Sequence, residues 1–219
     1  MNYEKQYVWS ILFRLCHWGL ALSIVFLAVT GWYIHDPWTN TMVEDNGLFP
    51  MAEMRLIHFI AGFVFTASVL VRLFLYLFGN SQERLVGPLP VTPANIKNFF
   101  STLAYYGYAS DRHEERVGHN ALAGLVYLFT WLIALLQLLS GFTLLYPEST
   151  AWQDWGLAIF GTQQQGRFVH YLIMWYFLLF TLTHLYMLAW NDLKSPEGLI
   201  SSIVNGYKFK ARHDDSAKV

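Results

Sequence analysis

The sequence predicts an all-α membrane protein, a four-helix transmembrane bundle, and three observations carry that prediction. Hydrophobic residues make up 55% of the 219-residue chain and charged residues only 13%, which would leave a soluble globule with too little polar surface. Four stretches, Leu15–Ile34, Leu56–Phe78, Ala121–Tyr146 and Phe168–Trp190, are apolar over the roughly 20 residues that a helix needs to cross the hydrocarbon core. Lysine and arginine alternate from one side of these stretches to the other. Lys5 and Arg14 precede the first, Arg84, Lys97, Arg112 and Arg116 lie between the second and third, and Lys194, Lys208, Lys210, Arg212 and Lys218 follow the fourth. The opposite side carries only Arg55 and Arg167. Positive loops stay in the cytoplasm, so both termini are expected inside (N-in, C-in) and the chain reads as one membrane domain, 1–219.

Each element has its own justification. The first span is too long for a signal-peptide core and ends in Gly31-Trp32-Tyr33 rather than a small-residue cleavage site, so it is expected to stay in the mature protein. In the second span Arg72 lies deep, where an unpaired charge is costly, and a propionate, acidic or headgroup partner is expected on the inner side. Between Pro93 and Ser110, Ile96, Phe99, Phe100 and Leu103 recur at helical spacing among polar neighbours, as in a helix lying at the membrane surface. Gly118-His119-Asn120 leads into the third span, with Asn120 as a candidate N-cap. Trp152 and Trp155 suit an interfacial aromatic belt on the outer side. After the fourth span, Ser195-Pro196-Glu197 offers an N-cap followed by proline, and Leu199, Ile200, Ile203 and Val204 make an apolar stripe. Either stripe is membrane-lying or receives a partner.

The histidines carry the chemistry. His17 lies near the start of span one, His58 near the start of span two, and His170 and His184 both in span four. Fourteen residues separate the last two, about 21 Å of rise and a net rotation of about 40°, so they share a helix face at two depths. With N-in topology, depth alone pairs His58 with His170 toward the outer side and His17 with His184 toward the inner side. A polar side chain in a bilayer needs a partner, and a pair of neutral imidazoles on different helices is what a bis-histidine b-type haem requires. A hydrogen bond to a neighbouring helix is the competing reading for each histidine taken alone. Gly19, Gly31, Gly62 and Gly141 would let the bulky ring, or another helix, approach the backbone. His35, His113 and His213 read as solvated surface, and His119 as either a helix-start feature or part of a quinone pocket. The single cysteine, Cys16, rules out an intrachain disulfide, an iron–sulfur cluster or thioether attachment of haem, and is expected to be a packing residue.

Arg14-Leu15-Cys16-His17-Trp18, Met54-Arg55-Leu56-Ile57-His58-Phe59-Ile60-Ala61-Gly62, Gly118-His119-Asn120, His170-Tyr171-Leu172-Ile173-Met174-Trp175, His184-Leu185-Tyr186-Met187 and Val204-Asn205-Gly206-Tyr207 together resemble the b-type cytochrome subunit of membrane-bound nickel–iron uptake hydrogenases. That group sits in a wider dihaem cytochrome b561-like family that includes formate dehydrogenase cytochrome subunits. The resemblance implies two non-covalent haems b ligated by His17, His58, His170 and His184, with a quinone site near His184, His119 and Asn120. Ala121 stands where such cytochromes often have proline. Arg14 and Arg55, one near each haem level, are candidate propionate partners. It further implies hydrogenase small (iron–sulfur) and large (nickel–iron) subunits, membrane lipid and the quinone pool as partners, no nucleic acid, and a bacterial inner-membrane location. Hydrogen activation would belong to the partner subunits and electron transfer to this chain. The alternatives are a formate dehydrogenase cytochrome or stand-alone quinol oxidoreductase of the same fold, and, further off, a haem-free anchor or proton-conducting transporter.

Overall fold

The computed structural model describes residues 3–38, 49–84, 89–110, 120–194 and 198–211. Their order is β1 (Tyr3–Tyr7), α1 (Ile11–His35), α2 (Pro50–Phe78), α3 (Pro93–Tyr106), α4 (Ala121–Leu145), α5 (Thr150–Phe160), α6 (Gln163–Lys194), α7 (Leu199–Asn205) and β2 (Tyr207–Ala211). The expected all-α class is what is found, and α1, α2, α4 and α6 are long and apolar enough to cross a membrane. These helices overrun the predicted spans: α2 starts at Pro50 rather than Leu56, and α6 runs from Gln163 to Lys194 rather than from Phe168 to Trp190. Apolarity marks only the part facing hydrocarbon, whereas backbone hydrogen bonding continues through polar residues at headgroup level.

The chain forms two compact units. One comprises Cys16–Val71 and Leu132–Leu182. Here α1 and α2 meet closely: Cys16 Sγ donates to the Ser68 carbonyl at 3.1 Å, and a Cβ on Gly19 would stand 2.5 Å from Ser68 Oγ. Cys16 is thus the packing residue expected, and Gly19 allows the contact. Phe65 meets Phe177 edge-to-face at 5.8 Å, and Val69, Ile173 and Met174 are buried. The unforeseen helix α5 is tied to the end of α4, because Gln153 Nε2 donates to the carbonyls of Thr143, in its last turn, and Tyr146, just beyond it, at 3.0 and 3.2 Å. On it Trp152 stacks on Phe142 and Trp155 is 61% exposed.

The other unit comprises Met1–Leu15, Arg72–Trp131 and Thr183–Val219. Its termini pair as an antiparallel ribbon, Tyr3 opposite Ala211 and Tyr7 opposite Tyr207. The turn into β2 explains Val204-Asn205-Gly206-Tyr207 structurally. Gly206 has φ +87°, a left-handed backbone suited to glycine, and a Cβ there would lie 2.8 Å from the Trp9 carbonyl. Its own carbonyl accepts from the amides of Val8 and Trp9, and Asn205 Oδ1 accepts from Tyr207 N at 2.8 Å. α7 begins at Leu199 after a left-handed Gly198, with Asp192 Oδ1 accepting from Leu199 N at 2.9 Å. The predicted start at Ser195-Pro196-Glu197 lies outside the described residues.

Glu83, only 1% exposed, organises the start of α1. Its Oε1 accepts from Ser10 N at 2.7 Å and its Oε2 from Asn80 N at 3.2 Å, while Asn80 Nδ2 donates to the Val8 carbonyl at 3.0 Å. The partner expected for Arg72 is present in another form. Arg72 is 8% exposed, donates through Nη1 to the backbone carbonyl of Glu83 at 3.0 Å, and lies over the rings of Tyr76 and Phe13 at 3.9 and 4.7 Å.

Candidate functional site

His58 on α2 and His170 on α6 face each other, their ring centres 6.4 Å apart and their planes at 61°. Both are half-buried. Each has a hydroxyl behind it on a third or fourth helix: Thr30 Oγ1 of α1 is 2.9 Å from His58 Nδ1, and Ser140 Oγ of α4 is 2.9 Å from His170 Nδ1.

A hydroxyl has one proton to donate, and both are already committed. Thr30 Oγ1 donates to the Phe26 carbonyl at 2.6 Å, and Ser140 Oγ donates to the Gln137 carbonyl at 3.0 Å. With the hydroxyl proton on the helix carbonyl, each oxygen accepts from its histidine, an arrangement that puts the imidazole proton on Nδ1 and leaves the Nε2 lone pair unprotonated. This is the outer-shell arrangement that orients a metal-ligating histidine. Gln137 Nε2 lies 3.3 Å from His170 Nε2.

Glycine completes the cradle. A Cβ on Gly31 would lie 3.3 Å from His58 Cε1, and one on Gly141 would lie 3.3 Å from His170 Cε1, so larger residues would push the rings out of place. Gly62 differs, because a Cβ there would meet nothing within 4 Å; no close approach of a neighbouring helix requires a glycine at this position.

These residues fit a bis-histidine haem. Metal–imidazole bonds of about 2.0 Å on opposite faces of one ion put the two ring centres about 6 Å apart, close to the 6.4 Å found. Gln137 Oε1 is a buried acceptor with no hydrogen-bond partner, so the protein alone leaves part of this site unsatisfied. Among the described residues no group of three or more His, Cys, Asp or Glu side chains could hold a bare metal ion.

The other predicted residues fall as follows. His17 belongs to the unit that contains His58, with its ring edge-on to Trp18 at 5.7 Å. His184 belongs to the other unit, edge-on to Tyr127 at 6.4 Å. Arg14 donates through Nη1 to the Val204 carbonyl, and its Nε is buried without a hydrogen-bond partner. The Arg55 guanidinium is exposed and lies 5.9 Å from the Phe59 ring. Asn120 is an N-cap, as expected: its Oδ1 accepts from Ala123 N at 2.8 Å. It also hydrogen-bonds Tyr106, whose phenol is pushed above its usual pKa by burial and by neighbouring Tyr105, with the Asn120 bond pulling the other way. His35 is exposed and stacks on Tyr171 at 4.1 Å. His113, His119 and His213 lie outside the described residues. Sequence reasoning missed Thr30, Ser140 and Gln137. A polar residue directly before a glycine that faces a histidine (Thr30, Ser140), or one turn before it (Gln137), was the available signal, but polar residues in apolar spans also bond their own helix.

The family model of prokaryotic cytochrome b561 matches residues 8–206. The chain belongs to that family. Curated relatives of this cytochrome b561 family member include probable Ni/Fe-hydrogenase B-type cytochrome subunits. That of Cupriavidus necator is 32% identical over 94% of this chain and 87% of its own length. That of Azotobacter chroococcum is 33% identical over 92% and 88%, and the hydrogenase 1 subunit of Escherichia coli K12 is 30% identical over 94% and 92%.

Proposed function

We propose that this cytochrome anchors a periplasmic nickel–iron hydrogenase to the bacterial inner membrane and carries electrons from hydrogen oxidation to the quinone pool. Its direct partners in this reading are the hydrogenase small and large subunits, with both termini of the chain cytoplasmic. The observation that carries the proposal is the facing pair His58 and His170, each with Nδ1 2.9 Å from a hydroxyl of another helix. His58 and His170 would hold one haem b, and His17 and His184 a second, the latter pair resting on helical position alone. Haem b, when bound, supplies one-electron transfer in a low-dielectric interior.

The chain's own residues do the rest. Thr30 and Ser140 hold the outer imidazoles in the ligating tautomer, and Gly31 and Gly141 keep the space beside the rings open. Arg14 and Arg55, one near each haem level, would pair propionates. On the cytoplasmic side, His119 and Asn120 would receive the quinone head, and the neutral Tyr106 phenol orients Asn120.

The test is to purify the chain in mild detergent from cells that make the hydrogenase subunits, then to measure a pyridine-haemochrome spectrum and identify co-purifying subunits. A b-type spectrum with a haem-to-protein ratio near 2 and a nickel–iron enzyme in the preparation is the expected result. Protein without haem would overturn the electron-transfer reading, and co-purification with a formate dehydrogenase would overturn the hydrogenase assignment.

A further inference from the structure

Helix α3 is amphipathic in the inverted sense. Its polar residues Asn95, Asn98 and Thr102 are buried against the protein, while Ile96, Phe100 and Leu103 are 44%, 62% and 49% exposed. At 100° per residue the centres of these two faces stand about 130° apart around the helix. A water-exposed helix is built the other way round, with its apolar stripe inward.

The buried face also fixes the depth of the helix. Asn98, fully buried, accepts through Oδ1 from Ala121 N at 3.0 Å, and Ala121 is the first residue of the membrane span α4. An amide at the start of a span lies where hydrocarbon gives way to headgroups. Asn95 Nδ2 holds the other end through the Leu89 carbonyl at 2.7 Å, Thr92 caps the helix by accepting from Asn95 N, and Pro93 stands in its first turn. A pre-formed helix is thus locked at the level of the bilayer surface with an apolar stripe turned away from the protein.

We infer that α3 lies in the membrane plane and inserts Ile96, Phe100 and Leu103 among the acyl chains just below the headgroups, the mode of an interfacial helix. Lys97, exposed beside the stripe, carries its ammonium to the phosphates. The occupant of this face is lipid, and the span that α3 caps is thereby pinned against sliding along the membrane normal.

Spin labels attached singly at I96C, F100C, L103C and K97C, in a C16S background and in phosphatidylcholine–phosphatidylglycerol vesicles, test this by collision with oxygen and with a water-soluble nickel chelate. The expected result is oxygen-dominated relaxation at positions 96, 100 and 103, corresponding to a depth of about 5–10 Å, with a shift toward the nickel chelate at 97. Chelate-dominated relaxation along the stripe would mean that it faces water, and low accessibility to both reagents that protein covers it; either overturns the inference. Hydroxyl-radical footprinting of the unsubstituted protein in nanodiscs checks the same point without labels. Phe100 protected relative to the unfolded chain supports lipid burial, and Phe100 oxidised at the unfolded rate refutes it.

Discussion

Replacing Ser140 by alanine isolates the contribution of one hydroxyl to the His58–His170 pair. Ser140 Oγ accepts from His170 Nδ1 at 2.9 Å while donating its own proton to the Gln137 carbonyl. Without it, the half-buried His170 loses this acceptor and is left with the Gln137 backbone carbonyl as a hydrogen-bond partner, so the ring is less firmly held in its tautomer. A hydrogen bond contributes about 0.5–1.5 kcal/mol net. If only one oxidation state of a bound haem feels that contribution, the midpoint moves by roughly 20–65 mV, since a tenfold change is about 59 mV for one electron. An acceptor behind the imidazole raises its basicity and favours the oxidised metal, so its loss raises the potential. Optical redox titration of S140A should therefore show one b-type component shifted upward, with haem affinity lowered about 10- to 100-fold. T30V should move the same component in the same direction through His58, and S140T, which keeps the hydroxyl, should restore it. Unchanged potentials in both S140A and T30V, or a shift downward, would refute the tautomer argument.

Three further outcomes follow from the same geometry. H58A and H170A should each remove the same spectral component and H17A and H184A the other, as read by low-temperature α-band spectra; loss of both components from every variant would contradict the pairing. G141L and G31L should lower haem content well below that of G62L in a pyridine-haemochrome assay, because a Cβ at Gly31 or Gly141 already stands 3.3 Å from a ring and Gly62 has open space; equal content in the three would count against the cradle. E83A should cost about 2–5 kcal/mol, from two amides left without an acceptor, and E83Q less, measured as thermal unfolding in detergent. A change within about 0.5 kcal/mol, typical of a surface substitution, would show that Glu83 does not organise the start of α1.

The sequence by itself determined the class, the number of spans and the histidines, because each is recorded locally. Apolar length marks a bilayer crossing, and a histidine in such a stretch stands out against its neighbours. The fourteen-residue spacing of His170 and His184 puts the two histidines on one helix face through helical periodicity alone. Asn120 as a cap was legible for the same reason, since capping is a contact three residues long. Only the tertiary structure decided what depends on residues far apart in the chain. The pairing of Tyr3–Tyr7 with Tyr207–Ala211, the burial of Glu83 beneath Ser10 and the carbonyl partner of Arg72 join segments that no periodicity connects. The inversion of α3 was hidden too: a stripe of Ile96, Phe100 and Leu103 looks the same in sequence whether it turns inward or outward, and the bond from Asn98 to the first amide of α4 decides which. The same holds at the histidine pair. Thr30 and Ser140 are ordinary polar residues of apolar helices until the fold brings them to 2.9 Å from an imidazole, because a tautomer is set by where a proton can go, and that is a property of neighbours in space.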